Sequence, residues 1–257
     1  MKEIANKVRL KIFGERNSNT TFLTRIVALN LQVKQLRSEL GRPLNYYKSR
    51  YPGGETLRDV YFGLTSRFNL GWKHTRVDRA WLEERGAFQG QFCFVTVTKN
   101  PYAWLLSLHE RPYHQHHTDA LTFEEFLLHP WRLVSRDNCS GSFLTSPMEL
   151  WNVKTRSYLS LTGPHCVATS SEQLLDNPAR VIDRIGMQFG IPRLTTEFVN
   201  HETSTNLGAK SFSDYREYYL EERWKTHLSN EALAIINAQI DVELMSSLGY
   251  ELLAPAR

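Results

Sequence analysis

The sequence predicts an α/β fold in which a parallel sheet is covered by helices on both faces. Strand-like runs alternate with helix-like stretches along the chain, the order expected of a parallel sheet. One run, Phe92-Cys93-Phe94-Val95-Thr96-Val97-Thr98, is almost continuously apolar or β-branched, as a strand buried on both faces must be. The 257 residues are 41% hydrophobic and 23% charged, with 14 Gly and 10 Pro, which excludes disordered, collagenous and coiled-coil classes. Residues 1–257 are expected to form one domain, since no linker-like stretch divides them.

Taken in order, Val8 to Phe13 alternates apolar and basic residues before Gly14 and reads as a strand. From Thr20 to about Gln35 the residues Phe22, Leu23, Ile26, Val27 and Leu31 recur at helical spacing, so strand, polar turn and helix open a βαβ unit. The segment from Leu36 to Arg67, with Tyr46, Tyr47, Pro52, Gly53 and Gly54, reads as loop and short helix over the sheet. A second strand is expected near Phe68 to His74 and a third over Phe92–Thr98, stopping at Lys99-Asn100-Pro101. Tyr102 to His109 reads helical, and Arg111 to Ser146 as a further covering segment. Then come a helix from about Pro147 to Leu161, a short strand Cys166–Thr169 and an amphipathic helix from Pro178 to Phe189. A charge-rich helical segment runs from Asp214 to about Leu248, with a solvated charged face over Asp214 to Lys225, and closes at Gly249-Tyr250.

Composition narrows the function. Three cysteines, Cys93, Cys139 and Cys166, fit reduced thiols better than a disulfide framework, and no Cys/His spacing suggests a metal site. A net charge of +4 without a Lys/Arg run calls for no nucleic-acid partner and suits an anionic small-molecule ligand. No apolar run approaches the ~18 residues of a membrane span, and the N-terminus lacks a signal peptide's apolar core, so a cytoplasmic location is expected.

Ligands of open α/β sheets bind beyond the carboxyl ends of the strands, and three such ends here carry polar residues. Gly14-Glu15-Arg16-Asn17-Ser18-Asn19-Thr20-Thr21 joins a strand to a helix N-terminus, where backbone N–H groups, hydroxyls and one Arg can cradle a phosphate. The same residues also read as a plain turn with Ser18 or Asn19 as N-cap. Lys99 at a strand end and Ser107, two helical turns on, can hold a second anion between them. Trp72-Lys73-His74 offers a charge clamp and a base at what reads as a strand end.

Taken together, these segments resemble the sulfotransferases that use 3′-phosphoadenylyl sulfate. They are most similar to bacterial-type members with an ERNSGTT loop, a GWKH strand end and an RNPYAWLLS segment followed by RPYH. The matching stretches are Glu15 to Thr21, Gly71 to His74, and Lys99 to Ser107 followed by Arg111-Pro112-Tyr113-His114. The helix from Leu150 and the stretch Ser171 to Leu175 extend the likeness over most of the chain. The resemblance implies a P-loop-like three-layer α/β/α sandwich and transfer of a sulfuryl group to a hydroxyl or amine of a glycan, glycolipid or small molecule, without a metal. It implies that Arg16, Asn17, Ser18, Asn19, Thr20 and Thr21 bind the 5′-phosphosulfate and that Lys99 and Ser107 hold the 3′-phosphate. His74 would be the base, with Lys73 and Arg16 at the sulfuryl group.

The chain departs from the family pattern at four places. Asn19 stands for Gly, Lys99 for Arg and Ser171 for Tyr, and the family's C-terminal basic loop has no clear match beyond Lys210 and Arg216. Asn tolerates a positive φ, so the turn is expected to survive. Neighbours on a strand point to opposite faces, so Lys73 and His74 reach one site only if the strand has ended. Glu15 is expected to pair with Arg16 or a helix terminus, and the His114-His116-His117 group to be a polar loop. Alternatives are a non-catalytic anion- or nucleotide-binding module and a P-loop-type kinase using ATP, which would want GxxxxGK[ST] and a metal-binding Asp.

Overall fold

The computed structural model describes residues 8–38, 40, 54–90, 92–115, 120–202 and 211–254. In chain order these form β1 (Arg9–Gly14), α1 (Thr20–Asn30), β2 (Lys34–Gln35), α2 (Gly54–Asn69), α3 (Arg79–Glu84), β3 (Phe92–Thr98) and α4 (Pro101–Glu110). There follow α5 (Phe123–Leu128), the ribbon strands β4 (Trp131–Arg132) and β5 (Phe143–Leu144), α6 (Pro147–Leu159), β6 (Cys166–Ser170), α7 (Ser171–Asp176) and α8 (Pro178–Phe189). The last part holds α9 (Phe212–Leu220), α10 (Asn230–Gln239) and α11 (Val242–Ser247).

The main sheet is parallel throughout, in the order β2-β1-β3-β6. Strand alternation sorts its side chains into two apolar layers. Leu10 and Ile12 of β1, with Cys93, Val95 and Val97 of β3, pack against Leu23, Ile26 and Val27 of α1 and Val181, Ile182 and Ile185 of α8. Phe13 and Phe94 face the other way, toward Leu82 of α3 and Tyr158 of α6. The sheet is thus covered on both faces, as the apolar run of β3 predicts. A third apolar cluster joins α4, α5, α6, α10 and α11 through Trp104, Trp151, Phe126, Ile236 and Met245.

Four expectations need correction. The helix opening at Thr20 stops at Asn30, whose side chain bonds the carbonyls of Ile26 and Val199, and the chain then extends into β2. The segment before Arg67 holds a full helix, α2, rather than a short one, while Tyr46, Tyr47, Pro52 and Gly53 lie outside the described residues. No strand forms at Phe68–His74. Helix α2 runs through Phe68 to Asn69, the Asn69 side chain accepts from Gly71 N–H, and Leu70 and Gly71 both take positive φ (59° and 83°), which no strand accommodates. The stretch from Asp214 onward is broken into α9, a 3₁₀ turn at Arg223–His227, α10 and α11, because Ser229 and Asp241 cap fresh helices.

Candidate active site

The strand order reverses between β1 and β3, and the residues singled out from the sequence converge at the carboxyl ends of these two strands. Gly14 ends β1 where a Cβ would lie 2.6 Å from the Val97 carbonyl oxygen, so only glycine lets the two chains approach. The loop that follows turns on two left-handed asparagines, Asn17 (φ 63°) and Asn19 (φ 59°). Asn19 stands at the N-cap of α1 without capping it, and the first turn holds no acidic residue, leaving the positive end of the helix facing the loop. Its amide instead donates to the Ser171 hydroxyl at 2.8 Å. Asn19 and Ser171, two of the residues that differ from the resembled motifs, are therefore partners. Asn17 donates to the Ser107 carbonyl (2.9 Å) and accepts from the Tyr113 hydroxyl (2.7 Å).

Arg16 is 3% exposed, its guanidinium 4.7 Å from the Trp72 ring and 5.1 Å from that of Tyr113. Its Nη1 lies 3.7 Å from Glu15 and its Nη2 3.9 Å from Asp137, beyond hydrogen-bond reach, and neither nitrogen has a hydrogen-bond partner among the described residues. The acids are taken by Lys154, fully buried, whose ammonium sits 2.6 Å from Glu15, Asp137 and the His74 carbonyl alike. Burial alone would raise the Asp137 carboxyl, but Lys154 and Arg16 outweigh it and hold the group at about 2. Burial likewise disfavours the charged Arg16, and Asp137 and Glu15 more than restore it. Arg16 thus keeps its charge while its outer nitrogens stay available to an anion. Asp137 and Lys154 were not foreseen; only tertiary packing brings them to Arg16.

After the reversal at Leu70 and Gly71, residues Lys73 and His74 lie in a turn, so the strand objection to their facing one site disappears. Lys73 Nζ donates to the Thr21 hydroxyl at 3.1 Å. The His74 Nδ1 meets the Gly14 carbonyl at 2.5 Å; a carbonyl only accepts, so Nδ1 carries the proton and Nε2 keeps its lone pair. Burial first, then Lys73 and Arg16, push the imidazole well below its ordinary value, so it stays neutral. Across the same edge, the Lys73 carbonyl accepts from Gly14 N–H, so the turn takes the place of a strand beside the end of β1.

Lys99, directly after β3, donates to Ser107 Oγ at 2.9 Å and points to the Asn17 carbonyl at 3.4 Å. One pair of residues, eight apart on a strand end and a helix, is thereby closed into a single donor group. His114 is buried against the Arg132 carbonyl (2.8 Å), and burial lowers it to about 4; His116 and His117 lie outside the described residues, as does Lys210. Arg216 pairs with Asp176 on the surface.

A cleft of about 690 Å³ runs past these groups, lined by Arg16, Asn17, Asn19, Thr20, Thr21, His74, Ser107 and Tyr113 on the sheet side, while Ser18, Lys73 and Lys99 are buried behind its wall. Its far wall is α9, through Phe212, Tyr215, Tyr218 and Tyr219. The charged pattern of Asp214–Lys225 suggested only a solvated face; the aromatics interleaved with those charges were the signal passed over. Phe212 stacks on Phe22 (5.3 Å), and the Lys99 ammonium lies 3.9 Å from the Tyr219 ring centre. Residues of α2 line a separate cavity of about 230 Å³ with Trp72 and Trp81.

No family model matches the chain, and no curated protein does. Solved structures do. The sulfotransferase domain of the curacin biosynthetic pathway is 14% identical with a TM-score of 0.45, covering 95% of this chain and 98% of that one. The sulfotransferase domain of the Synechococcus PCC 7002 olefin synthase is 14% identical with a TM-score of 0.48, covering 96% and 95%. No helix among the described residues is long and apolar enough to cross a membrane.

Proposed function

We propose that this chain is a sulfotransferase that takes a sulfuryl group from 3′-phosphoadenylyl sulfate and passes it to a hydroxyl or amine of a carbohydrate, glycolipid or small-molecule acceptor. The observation that carries the reading is the placement of two sets of cationic and hydroxyl donors, Arg16 to Thr21 with Lys73, and Lys99 with Ser107, beside one cleft that a neutral imidazole also lines. Arg16, Lys73 and the loop Asn17–Thr21 form the first group and suit a phosphosulfate; Lys99 and Ser107 form the second and suit a 3′-phosphate. The donor supplies an activated sulfur whose leaving group is a stable phosphate. His74 Nε2 takes the acceptor's proton as the new bond to sulfur forms, and Lys73 with Arg16 takes up the charge left on the bridging oxygen as the old bond breaks. Arg16 suits that task because its two outer nitrogens hold no hydrogen bond among the described residues. Acceptors are expected on the Tyr113 side of the cleft, where Arg111 and Tyr113 supply an aromatic face and donors.

The test is calorimetric binding of 3′-phosphoadenosine 5′-phosphate beside 5′-AMP and ATP with Mg²⁺. Preference for the bisphosphate, weakened about tenfold or more by Lys99→Ala, is expected. Equal binding of all three overturns the reading, and preference for ATP with Mg²⁺ favours a kinase.

A further inference from the structure

Resting on the donor reading above, we propose that Tyr219 of α9 completes the distal anion site and makes it selective for a 3′-phosphate. Two donors converge there on one neutral oxygen. Lys99 Nζ lies 2.9 Å from Ser107 Oγ, and the Tyr219 hydroxyl lies 3.0 Å from the same atom. Ser107 spends its only proton on the Ala103 carbonyl (2.9 Å), so toward Lys99 and Tyr219 it can only accept, and Tyr219 must donate. A phosphate oxygen is charged and a stronger acceptor than a serine hydroxyl, so a ligand phosphate lodged here would draw on both donors at once.

The ring does a second job. Its centre is 3.9 Å from the Lys99 ammonium, which steers that flexible side chain toward Ser107, and Tyr215 stacks beside it (6.2 Å, 8° between planes). This matters because Lys99 is a point charge where a guanidinium would have held a phosphate through two bonds. A neutral hydroxyl from a neighbouring helix restores the second, directional contact. Tyr219 is half-buried, its ring packed against the edge of the third apolar cluster, which leaves its hydroxyl to Ser107.

Tyr219→Phe keeps the ring over Lys99 and removes only the hydroxyl. Titration of wild type and variant with 3′-phosphoadenosine 5′-phosphate and with 5′-AMP separates the contributions. The variant should bind the bisphosphate about tenfold more weakly and 5′-AMP unchanged, at an unaltered melting temperature. Because Tyr219 acts on the phosphate shared with Ser107, Ser107→Ala should cost less affinity in the Tyr219→Phe background than in wild type. Equal losses for both nucleotides, no loss for the bisphosphate, or fully additive effects overturn the assignment. A wild-type protein that fails to distinguish the two nucleotides overturns the donor reading itself, before any variant is considered.

Discussion

His74 joins the backbone and the cleft through one ring. Its Nδ1–H is committed to the Gly14 carbonyl, and the ring lines the cleft. Since burial and three neighbouring cations hold it well below its ordinary value, the acidic limb of the rate profile should fall well under pH 6.5 rather than at it. The same shift has a stability sign. Below pH 6.5 the unfolded chain takes a proton that the folded chain refuses, so the fold loses stability as pH falls through that range. Replacement by Ala should cut transfer by about 10²–10⁴ with nucleotide affinity largely kept, and steady-state kinetics beside calorimetry check both. Unchanged turnover would remove His74 from the role. At Asn19, φ is 59° and the amide holds Ser171. Asn19→Gly should therefore be tolerated, whereas Asn19→Val should cost about 1–2 kcal/mol or more, read from denaturant midpoints.

At the scale of elements, β1 carries a lysine where a buried strand wants an apolar residue. Lys11 is fully buried, donates to the Gly71 carbonyl at 2.5 Å, and is lowered to about 7 by burial and by Lys73. It thereby pins the reversal that presents Trp72, Lys73 and His74. Between pH 7 and 10.5 the unfolded chain binds this proton and the folded chain does not, so stability should rise with pH by up to about 1.4 kcal/mol per unit. Lys11→Met should remove that slope when unfolding is measured at several pH values. The elements themselves were unevenly legible. β3, α4 and α8 declared themselves because an apolar run, an Asn-Pro start and a helical period are local signals. The reversal at Leu70 and Gly71 did not. Phe68 to His74 has strand-like residues, and only the preceding helix, the Asn69 side chain and buried Lys11 together turn the chain.

At the scale of the molecule, the loop after β1, the reversal and α6 are tied by one buried ion cluster: Glu15, Arg16, Asp137 and Lys154. Lys154→Met would leave two carboxylates short of a partner and should cost about 3–5 kcal/mol, with a lower denaturant midpoint. A midpoint unchanged within error would show the cluster to be dispensable. The loop, Lys99 and Ser107 were legible because each sits beside a strand or helix end with its own sequence signature. The cluster was not, since Asp137 and Lys154 lie in unremarkable contexts far along the chain from Arg16. The turn at Lys73 and His74 has one more consequence. β2 is only two residues long and pairs with the start of β1, and among the described residues this turn covers the far end of β1, through the Gly14–Lys73 bond. A parallel strand left bare there would offer open N–H and C=O groups to any passing chain. The pair of residues proposed for the chemistry thus also guards this sheet margin, and loosening the turn should expose the protein to edge-to-edge self-association as well as displace His74.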